Sequence, residues 1–136
     1  MLVQQYPKSS IDIYVQVLAD DGSAVQAAVC AASLALANAG IHCSGLVAAA
    51  SVGLLAAAPD SGAELRVDLT AAETKAASAH VSVAMLPALV RVTSVEHSGV
   101  MQPKELSQAL ALAAQATAVV HSAMKEALLQ NSAAAE

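Results

Sequence analysis

Charged and aromatic residues are scarce in this sequence. It has 6 Lys and Arg and 11 Asp and Glu among 136 residues, so 12% of the chain is charged, against roughly 25% in an ordinary soluble domain. Tyr6 and Tyr14 are the only aromatic residues, which leaves no stacking platform for nucleic-acid bases. The net charge is −5 and the basic residues are scattered singly. Autonomous binding of nucleic acid is therefore not expected.

Cysteine is also rare, and its arrangement predicts no special chemistry. Cys30 and Cys43 are the only two cysteines, and a chain of this length can fold without disulfide staples. They have neither CxxC spacing nor clustered histidine partners, because the four histidines are dispersed. We therefore expect two small buried side chains, no metal site and no cofactor.

Alanine is the residue in excess. The hydrophobic fraction is 57%, and 34 of those residues are alanine, while 16 Val and 16 Leu supply the strongly apolar part. This composition predicts one folded domain rich in helix. Residues 22–59 contain no charged side chain, but polar residues such as Gln26, Asn38 and His42 break the run into pieces too short to span a membrane. We expect neither a membrane segment nor a secretory signal.

Periodicity in the first third predicts a strand followed by a helix. Ile11–Leu18 alternates, with β-branched residues on one face, which is typical of a half-buried strand. Residues 20–23 then provide oxygen atoms that could cap a helix, with Ser23 as the capping residue. Helical spacing begins at Ala24 and ends at Asn38, because Gly40 suits the left-handed position after a helix.

The remainder predicts four more strands and a long helix, so the element order is β-α-β-β-β-β-α. A turn is expected at residues 59–62 and a loop or single helical turn at residues 71–79. Pro103 suits the first turn of the last helix, which should run to about Gln130. The predicted strands cover residues 46–57, 64–69, 80–86 and 89–96.

Two groups of residues are candidates for chemistry. Asp21, Gly22 and Ser23 precede a helix, where exposed amides can bind an anion, but the composition favours a plain capping turn. Neighbouring aspartates would also repel phosphate. Asp68 and Glu73 form a carboxylate pair that could hold a divalent cation or act in general acid catalysis. The alternative is a solvated Asp at a strand edge and an unrelated loop Glu.

The segment from Tyr6 to Ile41 resembles the RNase PH-like fold, and specifically the ring subunits of the RNA exosome. The family pattern reads Tyr/Phe-Pro-Arg-Ser-x-Ile-Asp-Ile, then Val-Leu-x-x-Asp-Gly-Gly, then an Ala-rich helix that closes on Asp-Ala-Gly-Ile. The similarity continues through VGLLAA, VDLT and VAMLP to the final helix, and so covers nearly the whole chain. The archaeal-active type and its eukaryotic relatives are most similar, with sister ring subunits close behind.

This resemblance implies an α+β, RNase PH-like (ribosomal protein S5 domain 2-like) fold. In that fold a mixed sheet packs against the Ala-rich helix and the long C-terminal helix. The match corresponds to the second half of the family domain, so residues 1–130 are expected to form its C-terminal part and residues 131–136 a disordered tail. The first half of the domain would supply further strands and, in active members, arginines that hold RNA and phosphate.

The resemblance also implies that the phosphate loop has lost its cation. Active members carry Gly-Ser/Thr-Arg at the turn between strand and helix. Here the turn reads Gly-Ser-Ala-Val, and the Arg position falls on Val25. No Lys or Arg occurs between Lys8 and Arg66, so a shifted alignment cannot restore one. Asp21, Gly22 and Ser23 are therefore interpreted as a relic of the loop.

The catalytic carboxylates of the family lie in an Asp-Leu-Asn-x-x-Glu-Asp stretch. Asp68 and Glu73 match the first Asp and the Glu, but Thr74 replaces the last Asp. Phosphorolysis requires a bound phosphate nucleophile and stabilisation of charge at the scissile phosphate. No catalytic residue is therefore expected, and Asp68 and Glu73 are vestigial candidates.

The expected function is that of a non-catalytic structural subunit of an RNA exosome ring, which supports 3′-to-5′ RNA processing and degradation, including rRNA processing. Its expected partners are other RNase PH-like subunits, cap subunits, and RNA in the assembled channel. The expected location is the nucleus, nucleolus and cytoplasm. One alternative is a phosphorolytic 3′-to-5′ exoribonuclease with a composite site, and another is an unrelated small α/β ligand-binding domain.

Overall fold

The computed structural model describes residues 3–55 and 64–134. The element order confirms the helices and four of the predicted strands, with a short helix added. The elements are α1 (Ala24–Asn38), β1 (Ala48–Leu55), β2 (Glu64–Val67), α2 (Ala71–Ala76), β3 (Ala77–Leu86), β4 (Arg91–Gly99) and α3 (Pro103–Ala134), with 3₁₀ turns at Val3–Gln5 and Pro87–Leu89.

Four strands form one sheet in the order β2-β1-β3-β4. Val52 of β1 lies opposite Val67 of β2 on one side and opposite Val81 of β3 on the other. Every described pairing is antiparallel, whereas the resemblance implied a mixed sheet. The short connection from β3 to β4 permits only antiparallel pairing, because parallel neighbours need a long crossover.

The long helix α3 packs against one face of this sheet. Val52, Val81 and Val83 point to that face, and each is at most 3% exposed. Ala109 and Ala113 of α3 meet them and are completely buried. Alanine at these positions lets the helix backbone lie close to the valine layer without leaving a cavity.

The boundaries of the two long helices differ little from the predictions. Helix α1 begins and ends at the predicted residues, and Gly40 adopts the expected positive φ of 70°. Helix α3 begins at Pro103, as predicted, but continues to Ala134. Residues 131–134 are therefore helical and not a tail, while residues 135–136 lie outside the described residues.

Helix α1 packs against the opposite face of the sheet. Successive side chains of a strand point to opposite faces, so Ala49 and Ser51 face away from the valine layer. Ser51 contacts Ser23 at the start of α1, and the Cys30 thiol of α1 contacts the backbone of Ala49. The central strand β1 is thus enclosed between two helices, and its residues from Ala48 to Leu54 are buried.

The clearest difference from the predictions concerns Ile11–Leu18. The segment is not a strand and lies outside the sheet. The predicted strand is therefore wrong: alternation indicates only which side chains could share a face, whereas a strand requires pairing, and no described strand lies beside this segment. Tyr14 is 92% exposed and Leu18 is 90% exposed.

Smaller differences occur between residues 59 and 99. The stretch predicted as a loop or single helical turn contains α2, and β3 then begins at Ala77, earlier than predicted. Strand β2 ends at Val67 and strand β4 runs on to Gly99. The predicted turn at residues 59–62 lies outside the described residues. Along the described chain, no helix has the length and hydropathy needed to cross a membrane.

Candidate functional site

The turn before α1 is held tightly against the connection between β2 and α2. Gly22 has a φ of 113°, and a Cβ atom at this position would collide with the carbonyl oxygen of Leu69. The Gly22 amide donates to a carboxylate oxygen of Asp20 at 2.9 Å, and the Ala71 amide donates to Asp21 at 3.1 Å. Glycine is therefore needed here both for its backbone conformation and for the close approach.

Ser23 is the N-terminal cap residue of α1, but its hydroxyl group does not cap the helix. The predicted capping bond is therefore wrong. The Ser23 Oγ atom instead lies 3.2 Å from the Oγ atom of Ser51, which is 2% exposed. A buried hydroxyl group needs a hydrogen-bond partner, and Ser23 provides one, so this pair fixes the start of α1 on β1.

Asp68 lies beside this turn. It follows β2 with a positive φ of 58°, and its amide donates to the carbonyl oxygen of Ser51 at 3.0 Å. Two cavities of about 480 and 390 Å³ are each lined by both Ser23 and Asp68. We call these adjoining spaces the Ser23–Asp68 cleft. The structure thus brings Asp68 together with the loop of Asp21, Gly22 and Ser23.

Glu73 has a different role. It is the third residue of α2 and forms a capping box with Thr70, whose amide donates to Oε2 at 3.0 Å. Its Oε1 atom accepts from Arg66 at 3.1 Å. The Thr70 backbone amide, the Thr70 hydroxyl group and Arg66 together hold the pKa of Glu73 below its ordinary value. The predicted carboxylate pair is thus separated, because Glu73 lines neither cavity of the cleft.

The cleft carries negative charge only. Asp20, Asp21 and Asp68 line it, and none of the six Lys and Arg residues, all of which are described, lines either cavity. Arg66 is nearby in sequence, but it is paired with Glu64 and Glu73. Uncompensated carboxylates disfavour a phosphate anion in the same space.

The residue expected at the Arg position points elsewhere. Val25 is 61% exposed and lines a separate groove with Ser94 and Glu96 of β4, outside the cleft. The residue that directly follows Gly22 and Ser23 is Ala24, which does line the cleft. Neither side chain carries a charge, so the interpretation that the cation is lost does not change.

Three polar side chains at the cleft are not among the site residues predicted from the sequence. Gln26 is 8% exposed, and its Nε2 atom donates to Ser82 at 2.6 Å. Ser51 and Cys30 also line the larger cavity. Ser51 could have been noticed as a hydroxyl group within an apolar run, and Gln26 as the first polar side chain of the Ala-rich helix. Across the described ranges, no group of three or more His, Cys, Asp or Glu side chains is placed to hold a metal ion.

Comparison with known proteins gives consistent matches. A family described as "3′ exoribonuclease family, domain 1" matches residues 1–42. The chain is 34% identical to exosome complex component Rrp41 of Cenarchaeum symbiosum over 128 residues, which are 94% of this chain and 50% of that protein. It is 33% identical to the Rrp41 component of Pyrococcus horikoshii over 94% of this chain and 49% of that protein.

A solved structure shows the same fold. Rice Rrp46 superposes with a TM-score of 0.73 and 24% sequence identity, over 84% of this chain and 52% of that chain. The chain therefore has the RNase PH-like α+β fold, as a partial domain, and it is a relative of the RNase PH-like exosome subunits. It spans about half the length of the curated relatives that it matches.

We predict that Gly22→Ala lowers the free energy of unfolding by at least about 2 kcal/mol, because the new Cβ combines a strained φ with a backbone collision. Gly40→Ala is the matched control, since Gly40 also has a positive φ but nothing lies within 4 Å of its Cβ position. It should cost only about 1 kcal/mol. Urea unfolding measures both, and equal losses would contradict the close contact at Gly22.

We predict that Glu73→Gln flattens the acid side of the stability profile. The folded-state pKa of Glu73 is lowered, so its ionised form stabilises the fold above the unfolded pKa, and this contribution is lost as pH falls through the folded pKa. Urea unfolding between about pH 5 and pH 3 should show a shallower slope for the variant. Glu96→Gln, which removes an exposed carboxylate of β4 outside the capping box, is the control. Equal slopes for both variants would contradict the role of the capping box.

Proposed function

We propose that this chain is a non-catalytic structural subunit of an RNA exosome ring, which supports 3′-to-5′ RNA processing and degradation, including rRNA processing. The relatives are components of exosome complexes by name. In this proposal the chain contributes its fold and its surfaces to an assembly, and the chemistry takes place on other subunits.

The composition of the Ser23–Asp68 cleft supports the non-catalytic role. Phosphorolysis needs a bound phosphate and a positive group that stabilises charge on the scissile phosphate. The cleft offers three carboxylates and no cation from the described chain. The resemblance places the arginine of the family motif at Val25, which carries no charge, so the loop of Asp21, Gly22 and Ser23 has no cation of its own.

A second candidate function is a phosphorolytic 3′-to-5′ exoribonuclease that acts through a composite site. One observation favours it: Asp68 and Ser23 still line a common cleft that is open to solvent. A neighbouring subunit could place arginines beside them. The carboxylate of Asp68 would then be the group of this chain that touches the substrate.

The proposal includes particular partners and locations. They are other RNase PH-like subunits, cap subunits, and RNA that passes through the assembled channel. The low charge of the chain supports binding through subunits rather than direct capture of RNA, because phosphate contacts require Lys and Arg. The proposed location is the nucleus, nucleolus and cytoplasm, which a fluorescently tagged chain would reveal in its own cells.

We predict that the tagged chain, purified from its own cells, recovers RNase PH-like exosome subunits in stoichiometric amounts. Mass spectrometry with intensity-based stoichiometry provides the measurement. The same tag on an unrelated acidic protein of similar size serves as the control. Recovery of no exosome subunit would overturn the proposed function.

We predict that the purified assembly shows no phosphorolysis that depends on Asp68. The assembly is incubated with RNA and inorganic phosphate, and nucleoside diphosphates are quantified. The assembly that carries Asp68→Ala should release nucleoside diphosphates at the wild-type rate. The control is Asp12→Ala, which changes an exposed carboxylate outside the cleft and should also leave this rate unchanged. Loss of release in Asp68→Ala alone would instead support the composite-site exoribonuclease.

A further inference from the structure

The larger cavity of the Ser23–Asp68 cleft has the size of a small-molecule site. Its volume is about 480 Å³, and such sites usually measure roughly 300–1,000 Å³. Its walls come from α1, β1, β2 and α3, which pack against one another without any ligand. The cavity can hold the apolar body of a ligand, because most of its lining side chains are apolar. These are Ala27, Ala49, Ala50, Val67, Ala116, Val119 and Val120.

Two polar side chains at this cavity have an acceptor atom without a donor. Gln26 is 8% exposed, and its Nε2 atom donates to Ser82, but no described residue donates to its Oε1 atom. The carboxylate of Asp68 likewise has no hydrogen-bond or ion-pair partner along the described chain. Asp20 and Asp21 differ, because each accepts from a backbone amide. A deeply buried amide oxygen normally accepts a hydrogen bond, so a ligand beside Gln26 and Asp68 should be a donor.

We propose that this cavity binds a small organic cation with an ammonium head and an aliphatic chain. The head pairs with Asp68, and the chain lies against Val67, Val119 and Val120. An ammonium group has three N–H donors and no acceptor, which matches a site whose free polar atoms are acceptors. Its charge also offsets the carboxylates of the cleft. The proposed function assigns no ligand to the cleft, and this binding does not depend on membership of a ring.

A metal ion fits the same chemistry less well. Mg²⁺ and Ca²⁺ need about six or more oxygen ligands, whereas the described residues include no group of three His, Cys, Asp or Glu placed to hold a metal ion. Apolar walls cannot replace the water that such an ion would lose. An alkylammonium ion keeps its charged end in contact with water, because Asp68 is exposed, while its chain leaves water for the apolar walls.

Three probes with the same pentyl chain test the proposal: n-pentylammonium, n-pentanol and n-hexanoate. The purified 136-residue chain is titrated with each probe, and amide chemical shifts are followed by NMR. We expect pentylammonium to bind at least about tenfold more tightly than pentanol, and hexanoate to bind more weakly than pentanol, because the cleft carries only negative charge. The shifts should move at Ser51 and Ala116, which line the cavity. Equal affinity for the ammonium and the alcohol, or shifts confined to residues outside the cavity, would overturn the proposal.

Asp68→Asn tests the charge without changing the size of the side chain. Asparagine tolerates the positive φ of 58° at this position, so the turn should keep its conformation. The variant should bind pentylammonium about tenfold more weakly and pentanol as the wild type does. The matched control is Asp12→Asn, which removes an exposed charge outside the cleft. Wild-type affinity for pentylammonium in Asp68→Asn would contradict the role of this carboxylate and overturn the proposal.

Ala116→Leu tests the space that the chain of the ligand occupies. Leucine is a good helix former, so α3 should be kept, and circular dichroism checks this. The larger side chain fills part of the cavity and should weaken binding of pentylammonium and pentanol alike, by at least about threefold. Ala118→Leu, on the exposed side of the same helix and outside the cavity, is the control. A folded Ala116→Leu variant that binds both probes as the wild type does would overturn the proposal. Failure of the tagged chain to recover exosome subunits would count only against the proposed function, since these titrations need no other subunit.

Discussion

The contact of Gly22 with the backbone around Leu69 is the constraint on which the site depends. Because no side chain separates the two segments, the turn before α1 and the connection after β2 lie directly against each other. This proximity allows Asp21 to accept from the Ala71 amide and places Asp68 beside Ser23. One small residue thus sets the geometry of the cleft, and the charges around the cleft then decide what that geometry can bind.

The cleft brings the predicted residues Ser23 and Asp68 together, but the described residues that line it provide no positive charge. The loop of Asp21, Gly22 and Ser23 lies beside Asp68, but the described residues that line the cleft include carboxylates and no cation. The other acidic residue of the motif, Glu73, is occupied by Thr70 and Arg66. Its hydrogen bonds hold α2 in place, which is a reason for a fold to keep a glutamate there without any catalysis. A retained motif residue is therefore weak evidence of activity when its contacts already explain it.

Much of the fold could be predicted from the sequence, because its signals are local. Gly40 and Pro103 mark helix boundaries through their own backbone preferences. The state of Ile11–Leu18 could not be predicted, because alternation defines the form of a strand while pairing depends on a distant neighbour. At the site, Ser51 was missed for the same reason: its hydroxyl group matters only because the fold brings it to Ser23.

The scarcity of charged residues can be related to particular elements of the structure. Part of the uncharged stretch at residues 22–59 is β1, which is buried between two helices. Another part is α1, which still exposes apolar side chains such as Val25 on its outer surface. The segment Ile11–Leu18 adds Tyr14 and Leu18 to the exposed apolar surface. Such surface is unusual for a chain that works alone. The low charge therefore reflects surfaces suited to be covered by protein, and it requires neither a membrane nor a nucleic acid to account for it.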